Sequence, residues 1–144
     1  MGFFGAMDIS ASGLTAQRLR MDLISENIAN AETTRTETGG PYRRKTAVFR
    51  EKPAAEFADY LKGALSGASG GVRVSQIAED TAEGTRVYEP GHPDADADGY
   101  VTKPNVNIVV EMVNMVSATR SYEANVTAIN SSKAMISRTL EISR

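Results

Sequence analysis

The chain has 144 residues, of which 41% are apolar and 24% charged, with a net charge of −2. That length allows one ordinary domain or a small domain with long helical arms, and the balanced charge points to neither nucleic acid nor an anionic membrane surface. The absence of cysteine excludes disulfides, thiolate zinc sites and a cysteine nucleophile, while five tyrosines, four phenylalanines and no tryptophan imply a modest core.

The N-terminal residues lack a basic leader followed by a long apolar core, so no cleaved secretory signal is expected. Ala6 stands where a myristoylation motif requires Ser or Thr. No apolar stretch exceeds a few residues, so no membrane insertion is expected.

A first helix is predicted over about 5–30. Met7, Leu14, Met21 and Ile28 recur every seven residues, with Ala11 and Ile24 beside them and Arg18, Arg20, Asp22 and Glu26 mostly elsewhere. Gly13 weakens the helix interior by about 1 kcal/mol relative to Ala, so packing must hold it there. Asn30 tolerates the left-handed conformation that ends many helices, and the polar run 32–36 followed by Gly39, Gly40 and Pro41 marks a turn-rich exit.

The middle of the chain changes character. Short β-branched or aromatic stretches at 42–49, 72–77 and 86–88, bounded by Gly, Pro and Asp, predict a small antiparallel unit. Phe57, Tyr60, Leu61 and Leu65 suggest a short helix over 54–65, and 66–71 reads as a Gly/Ser/Ala linker. The stretch 90–105, with three prolines and two glycines, is expected to be a loop.

The last helix is predicted to start near Asn105 or Asn107, either a good N-cap, with Arg138 and Arg144 near its end. Ile108, Met112, Met115, Thr119, Tyr122, Val126, Ile129, Lys133, Ile136 and Leu140 are spaced alternately by four and three. Eight of those ten are apolar, where a 41% apolar chain without pattern would place about four. Such a 3.5-residue repeat describes a narrow seam that meets another helix, on a helix about 55 Å long. The expected fold is therefore α+β, mainly α. Terminal segments 1–33 and 105–144 form a coiled-coil arm, and 34–104 form a β-rich central unit with an Ala/Gly/Ser-rich insertion at about 53–71.

Three segments carry residue types capable of chemistry. Asp94, Asp96, Asp98 and Gly99 match the first half of an EF-hand loop, but the twelfth position is Asn105 instead of a bidentate Glu, and Pro90 and Pro93 forbid the leading helix. An acidic, soluble turn is the favoured reading, and no metal or cofactor is expected. His92 is the only histidine and no Gly-x-Ser-x-Gly elbow exists, so a loop imidazole bonded to backbone is preferred over a hydrolase. For Arg43, Arg44 and Lys45, ion pairing to a neighbouring subunit and a solvated strand end stand level; nucleic-acid binding would need a wider basic face. Thr119 and Lys133 either fix register and partner number within the seam or face solvent.

Several strings carry a resemblance to a known family. The run 25–33, SENIANAET, resembles the N-terminal signature of flagellar rod and hook proteins. GGPYRRK at 39–45, HPDA at 92–95, GYV at 99–101, PNVN at 104–107 and MVSATRSYEANV at 115–126 are similar to proximal-rod members of that family. The motif residues of the central part are Gly39, Gly40, Pro41, Tyr42, Arg43, His92, Pro93, Gly99, Tyr100, Pro104 and Asn105. The likeness covers about 7–50 and 72–144; the stretch 53–71 shows no family pattern.

The resemblance implies a non-enzymatic subunit of the periplasmic rod, made in the cytoplasm and exported without signal cleavage by the flagellar type III apparatus. Its implied partners are itself, other proximal and distal rod proteins and the junction protein beneath the rod. The family's terminal helices line an export channel with the β-rich part outside. On that basis the assembly interface is expected to use Leu14, Met21, Ile24, Asn27, Ile28 and Asn30 of the first helix. Met112, Met115, Tyr122, Val126, Ile129, Ile136 and Leu140 would supply it from the last. The alternatives are another short rod or junction protein, or a small calcium-binding or adhesion coiled-coil module.

Overall fold

The computed structural model describes residues 3–37, 39–52 and 70–142. Six elements follow in order: α1 (Phe3–Ala29), β1 (Lys45–Glu51), β2 (Val72–Glu79), β3 (Thr85–Tyr88), β4 (Tyr100–Lys103) and α2 (Ile108–Ile142). The helix expected at 54–65 and most of the linker at 66–71 lie outside the described residues.

The two helices run antiparallel and pack along each other. Asn27 meets Glu111, Met21 meets Thr119, and Gly13 meets Asn125. A Cβ on Gly13 would sit 3.1 Å from the Asn125 amide, so the residue that weakens α1 as a helix is the one that lets α2 approach. Asn107, the second of the two expected caps, starts α2: its Oδ1 accepts the N–H groups of Val109 and Val110 at 3.0 and 3.2 Å. α1 ends where Asn30 donates its amide to the Glu26 carbonyl at 2.9 Å and accepts the Thr33 hydroxyl at 3.2 Å. Among the described residues no basic side chain occupies the last turn of α2: Arg138 falls just before it, and Arg144 lies outside the described residues.

The β residues form two separate two-stranded antiparallel sheets, β1–β2 and β3–β4. In the first, Val48 faces Gln76 while Phe49 faces Val74, so Ser75 is the extra residue of a β-bulge and donates its hydroxyl to the Val48 carbonyl at 3.1 Å. This hairpin packs on α1, where the Ser12 hydroxyl accepts the N–H of Val72 at 3.0 Å. The second sheet departs from expectation, because β4 lies inside the stretch read as a loop. Pro104 closes that strand, and Val101 is 1% exposed, so a four-residue strand flanked by Gly99 and Pro104 hides in a proline-rich context. Gly84 admits it: a Cβ there would lie 1.9 Å from the Lys103 carbonyl oxygen.

The described core is small. Its buried apolar members are Ala16, Leu23, Ile24, Ala31, Tyr42, Val101 and Ala118. Three of the seven are alanine and one is aromatic, which suits backbones held close together more than a globular interior filled by aromatics.

Candidate functional site: a buried polar hub and an exposed helix face

The most completely buried side chains include two polar ones, Asn27 and Glu111, both without solvent contact. They form the centre of a network joining α1, β1 and α2. The Asn27 amide donates to Glu111 Oε2 at 3.1 Å and to the Lys45 carbonyl at 2.9 Å. Its Oδ1 accepts the Lys45 N–H and the Tyr42 hydroxyl, each at 2.9 Å. Glu111 Oε1 accepts Arg44 Nε at 2.9 Å and Nη2 at 2.7 Å, with Asn114 Nδ2 at 3.3 Å.

Every hydrogen-bonding position of the Asn27 side chain is used, so the burial is compensated. Burial alone raises the Glu111 pKa; hydrogen bonds from Asn27 and Arg44, the Arg44 charge and the Asn114 amide outweigh it, leaving the carboxyl below its ordinary value. Burial pushes the Tyr42 hydroxyl up to about 12, helped by the negative charges of Glu26, Glu79 and Glu111. The hub is a register device, since a slip of either helix would strand a carboxylate or an amide in the interior.

Glu111 was not legible as a functional residue in the sequence. Its signal is the lone carboxylate inside the apolar run 108–113, which reads as solvent-facing until α1 is placed beside it. Arg44 and Lys45 of the basic cluster are both used internally, by Glu111 and Glu26, whereas Arg43 stays exposed without an ion pair among the described residues.

The expected interface residues divide by position. Ile24 and Asn27 are buried; Leu14, Met21, Ile28, Asn30, Met115, Tyr122, Val126, Ile129 and Ile136 are half-buried; Met112 and Leu140 are exposed. Burial on α2 follows a line through Glu111, Ala118, Asn125 and Ser132, one residue before Met112, Thr119, Val126 and Lys133. Half-buried Met115, Tyr122, Ile129 and Ile136 alternate with that line, so small, polar and apolar groups share the inward side, while the apolar residues at 109, 112, 113 and 116 are turned outward. Val109 is 70% exposed, Val113 65% and Met112 56%, with Val110 and Val116 about half exposed. Met112, Val113 and Val116 lie between Val109 at one end and Arg120 at the other along one shallow groove.

The central motif residues also converge. Gly39, Gly40, Pro41, Tyr42 and Arg43, together with Asn105, line one cavity of about 290 Å³, and Asn105 Oδ1 accepts the Arg44 N–H at 3.2 Å. His92 Nδ1 accepts the N–H of Asp94 at 3.1 Å, which is the backbone role expected of it. Pro93 is exposed, Pro104 buried, and Tyr100 packs edge-on against Tyr88 with ring centroids 5.3 Å apart. Gly99 adopts a φ of 80° beneath the Tyr88 ring, where a side chain has no room.

The acidic loop is held as a turn by its own carboxylates. Asp96 Oδ1 accepts the N–H groups of Asp98 and Tyr100 at 3.0 and 2.8 Å, and Oδ2 pairs with Arg86 at 2.6 Å. Asp94 accepts the Thr34 hydroxyl at 2.8 Å and faces Arg35. Lys103, bridging Glu32 and Glu89 at 3.1 and 3.0 Å, completes the tether of β3–β4 to the end of α1. Among the described residues no group of three or more His, Asp or Glu is placed to hold a metal ion, and no helix is long and apolar enough to cross a membrane.

Residues 7–35 match the family model for flagella basal body rod proteins, and residues 97–142 match that for the flagellar basal body rod FlgEFG protein C-terminal region. The flagellar basal-body rod protein FlgC of Bacillus subtilis is 49% identical, with both chains covered completely. The Borreliella burgdorferi protein of the same name is 47% identical over 99% of this chain and 98% of its own, and that of Escherichia coli O6:H1 is 43% identical over the same shares.

Proposed function

The chain belongs to the family of flagellar basal-body rod proteins FlgC, structural subunits of the basal-body rod, and from that premise we propose that it builds the proximal rod by helical self-assembly. The observation that carries this is the outward apolar face of α2, with Val109, Met112 and Val113 each more than half exposed. A contiguous exposed apolar face on a soluble chain marks an interaction surface. The hub formed by Asn27, Glu111 and Arg44 fixes the register of the helix that presents it.

In this reading the helix pair is the axial part, packing laterally against neighbouring subunits, and the two β-hairpins form the outer part. Contacts between unlike patches related by a rotation that does not close generate a helical tube. Burying one Val or Met side chain contributes about 1.5–3 kcal/mol, and repetition around the tube gives a stiff shaft that transmits torque around a central export channel. The partners are further copies, other rod proteins and the type III export apparatus, and the site of action is the periplasmic rod, reached without cleavage of a leader. The chemistry is structural; no catalytic residue is assigned.

Proteomics of purified hook–basal bodies from the source bacterium tests the reading, with cytosolic proteins quantified in parallel. Enrichment alongside the other rod proteins is expected. Depletion from intact rods overturns it.

A further inference from the structure

Charge is unevenly distributed along this chain. Residues 43–52 hold five basic side chains and one acidic, whereas residues 79–98 hold seven acidic and one basic. Two of the basic group, Arg44 and Lys45, are neutralised by Glu111 and Glu26. The outer end of the β1–β2 hairpin is different. Arg50 stands directly opposite Arg73 in the strand register, both are exposed, and neither makes an ion pair among the described residues. Lys52, two residues on from Arg50, is exposed as well. Glu51 alternates to the other face, its carboxylate lying towards Gly70.

Like charges directly opposite each other in an antiparallel pair are destabilising. The repulsion is relieved when an anionic surface covers that face. The same chain carries one. In the acidic stretch Glu89, Asp94 and Asp96 are engaged by Lys103, Arg35 and Arg86, but Glu83 and Asp98 are exposed without an ion pair among the described residues. The Arg50–Arg73 end of the first hairpin thus presents unmatched cations and the loops flanking the second ladder unmatched carboxylates, while Glu79, also exposed, sits at the far end of β2.

We propose that the outer face of β1–β2, through Arg50 and Arg73, docks on a second copy at an acidic loop flanking the β3–β4 ladder, with Glu83 at one end of the ladder and Asp98 at the other. The occupant is a second copy because the complementary surface is part of the chain itself, while a net charge of −2 gives no general attraction for anionic polymers or lipids. Two unlike patches make a head-to-tail contact, the kind that propagates. The inference rests on the reading of the chain as an assembling rod subunit and adds an electrostatic outer contact to the apolar axial one.

The chain has no cysteine, so introduced thiols report unambiguously. Cells would produce two differently tagged full-length copies, one with Ser75→Cys, the other with Ala82→Cys or Ala97→Cys, in a wild-type background. Hook–basal bodies would then be isolated and oxidised. The expected result is a disulfide-linked pair carrying both tags, reduced about tenfold when Arg50→Glu and Arg73→Glu are added to the first copy, as like-charge juxtaposition disfavours the contact. Tagged copies present in the rods but unlinked at both positions overturn the docking and leave the rod reading intact. A link that survives the double reversal overturns it too, and absence of the tagged copies from rods removes the rod reading and the docking together.

Discussion

Asn27 and Glu111, 84 residues apart in the chain, share a hydrogen bond of 3.1 Å at a point where neither side chain meets solvent. The pair ties the two helices at a single register, and β1 is attached to the same amide through the Lys45 backbone. Replacing Asn27 by Leu leaves the Lys45 N–H and the Tyr42 hydroxyl without their acceptor and removes the donor to Glu111 Oε2, while Oε1 keeps Arg44 and Asn114. A loss of about 2–4 kcal/mol is expected, each orphaned buried group costing ~1–3 kcal/mol with partial relaxation. Urea unfolding of the purified chain followed by circular dichroism measures it.

The hub also gives stability two pH limits. Glu111 has a folded pKa below its ordinary value, so its contribution is complete above the unfolded glutamate value, about 4.3. It is lost as pH falls through the lower folded value. Tyr42 is displaced upward, from 10.0 to about 12, so its contribution is complete below the unfolded value and is lost as pH rises towards the folded one. Thermal midpoints across pH 3–12 are expected to fall at both ends, in ranges set by those directions. Tyr42→Phe is expected to flatten the alkaline limb alone, whereas Glu111→Gln flattens the acid limb and also reduces the alkaline one, because the Glu111 charge is one cause of the Tyr42 shift.

The outward face of α2 separates folding from assembly. Val113 is 65% exposed, so Val113→Asp is expected to change monomer stability by no more than about 0.5 kcal/mol. It should nevertheless exclude the chain from rods, abolishing swimming at normal protein level. Val126→Asp is a poorer probe, because Val126 is half-buried on the helix pair and a carboxylate there also weakens the monomer. Comparing unfolding free energies with motility in soft agar distinguishes the two positions, and swimming by the Val113→Asp strain would remove that face from the interface.

Gly84 is required for the second sheet. A methyl group there meets the Lys103 carbonyl at 1.9 Å, so Gly84→Ala must push β3 off β4. Amides of 85–88 and 100–103 are expected to lose hydrogen-exchange protection, while those in the middle of α1 and α2 keep theirs, because the tether between the two parts is mostly polar.

Much of this protein was legible without coordinates. The two long helices, the first three of the four short strands between them, the Asn107 cap and the backbone role of His92 follow from periodicity and side-chain chemistry confined to a few neighbouring residues. The family strings were equally readable, since a match in order along the chain needs no geometry. What local pattern could not supply was the direction each face points. A heptad marks a stripe, but two stripes one residue apart differ by about 100° around the helix, and the choice falls to the neighbour. Here Gly13 and Ala118 let the helices approach, and Glu111 finds Asn27 and Arg44, so the line through Glu111, Ala118 and Asn125 turns inward and Met112 and Val113 turn out. Likewise β4 exists because Gly84 leaves room for the Lys103 carbonyl, 19 residues away. Local pattern was enough for the two helices, for β1, β2 and β3, and for the family. The tertiary structure decided which residues are buried, because burial is settled by groups distant in the chain competing for the same space and the same hydrogen bonds.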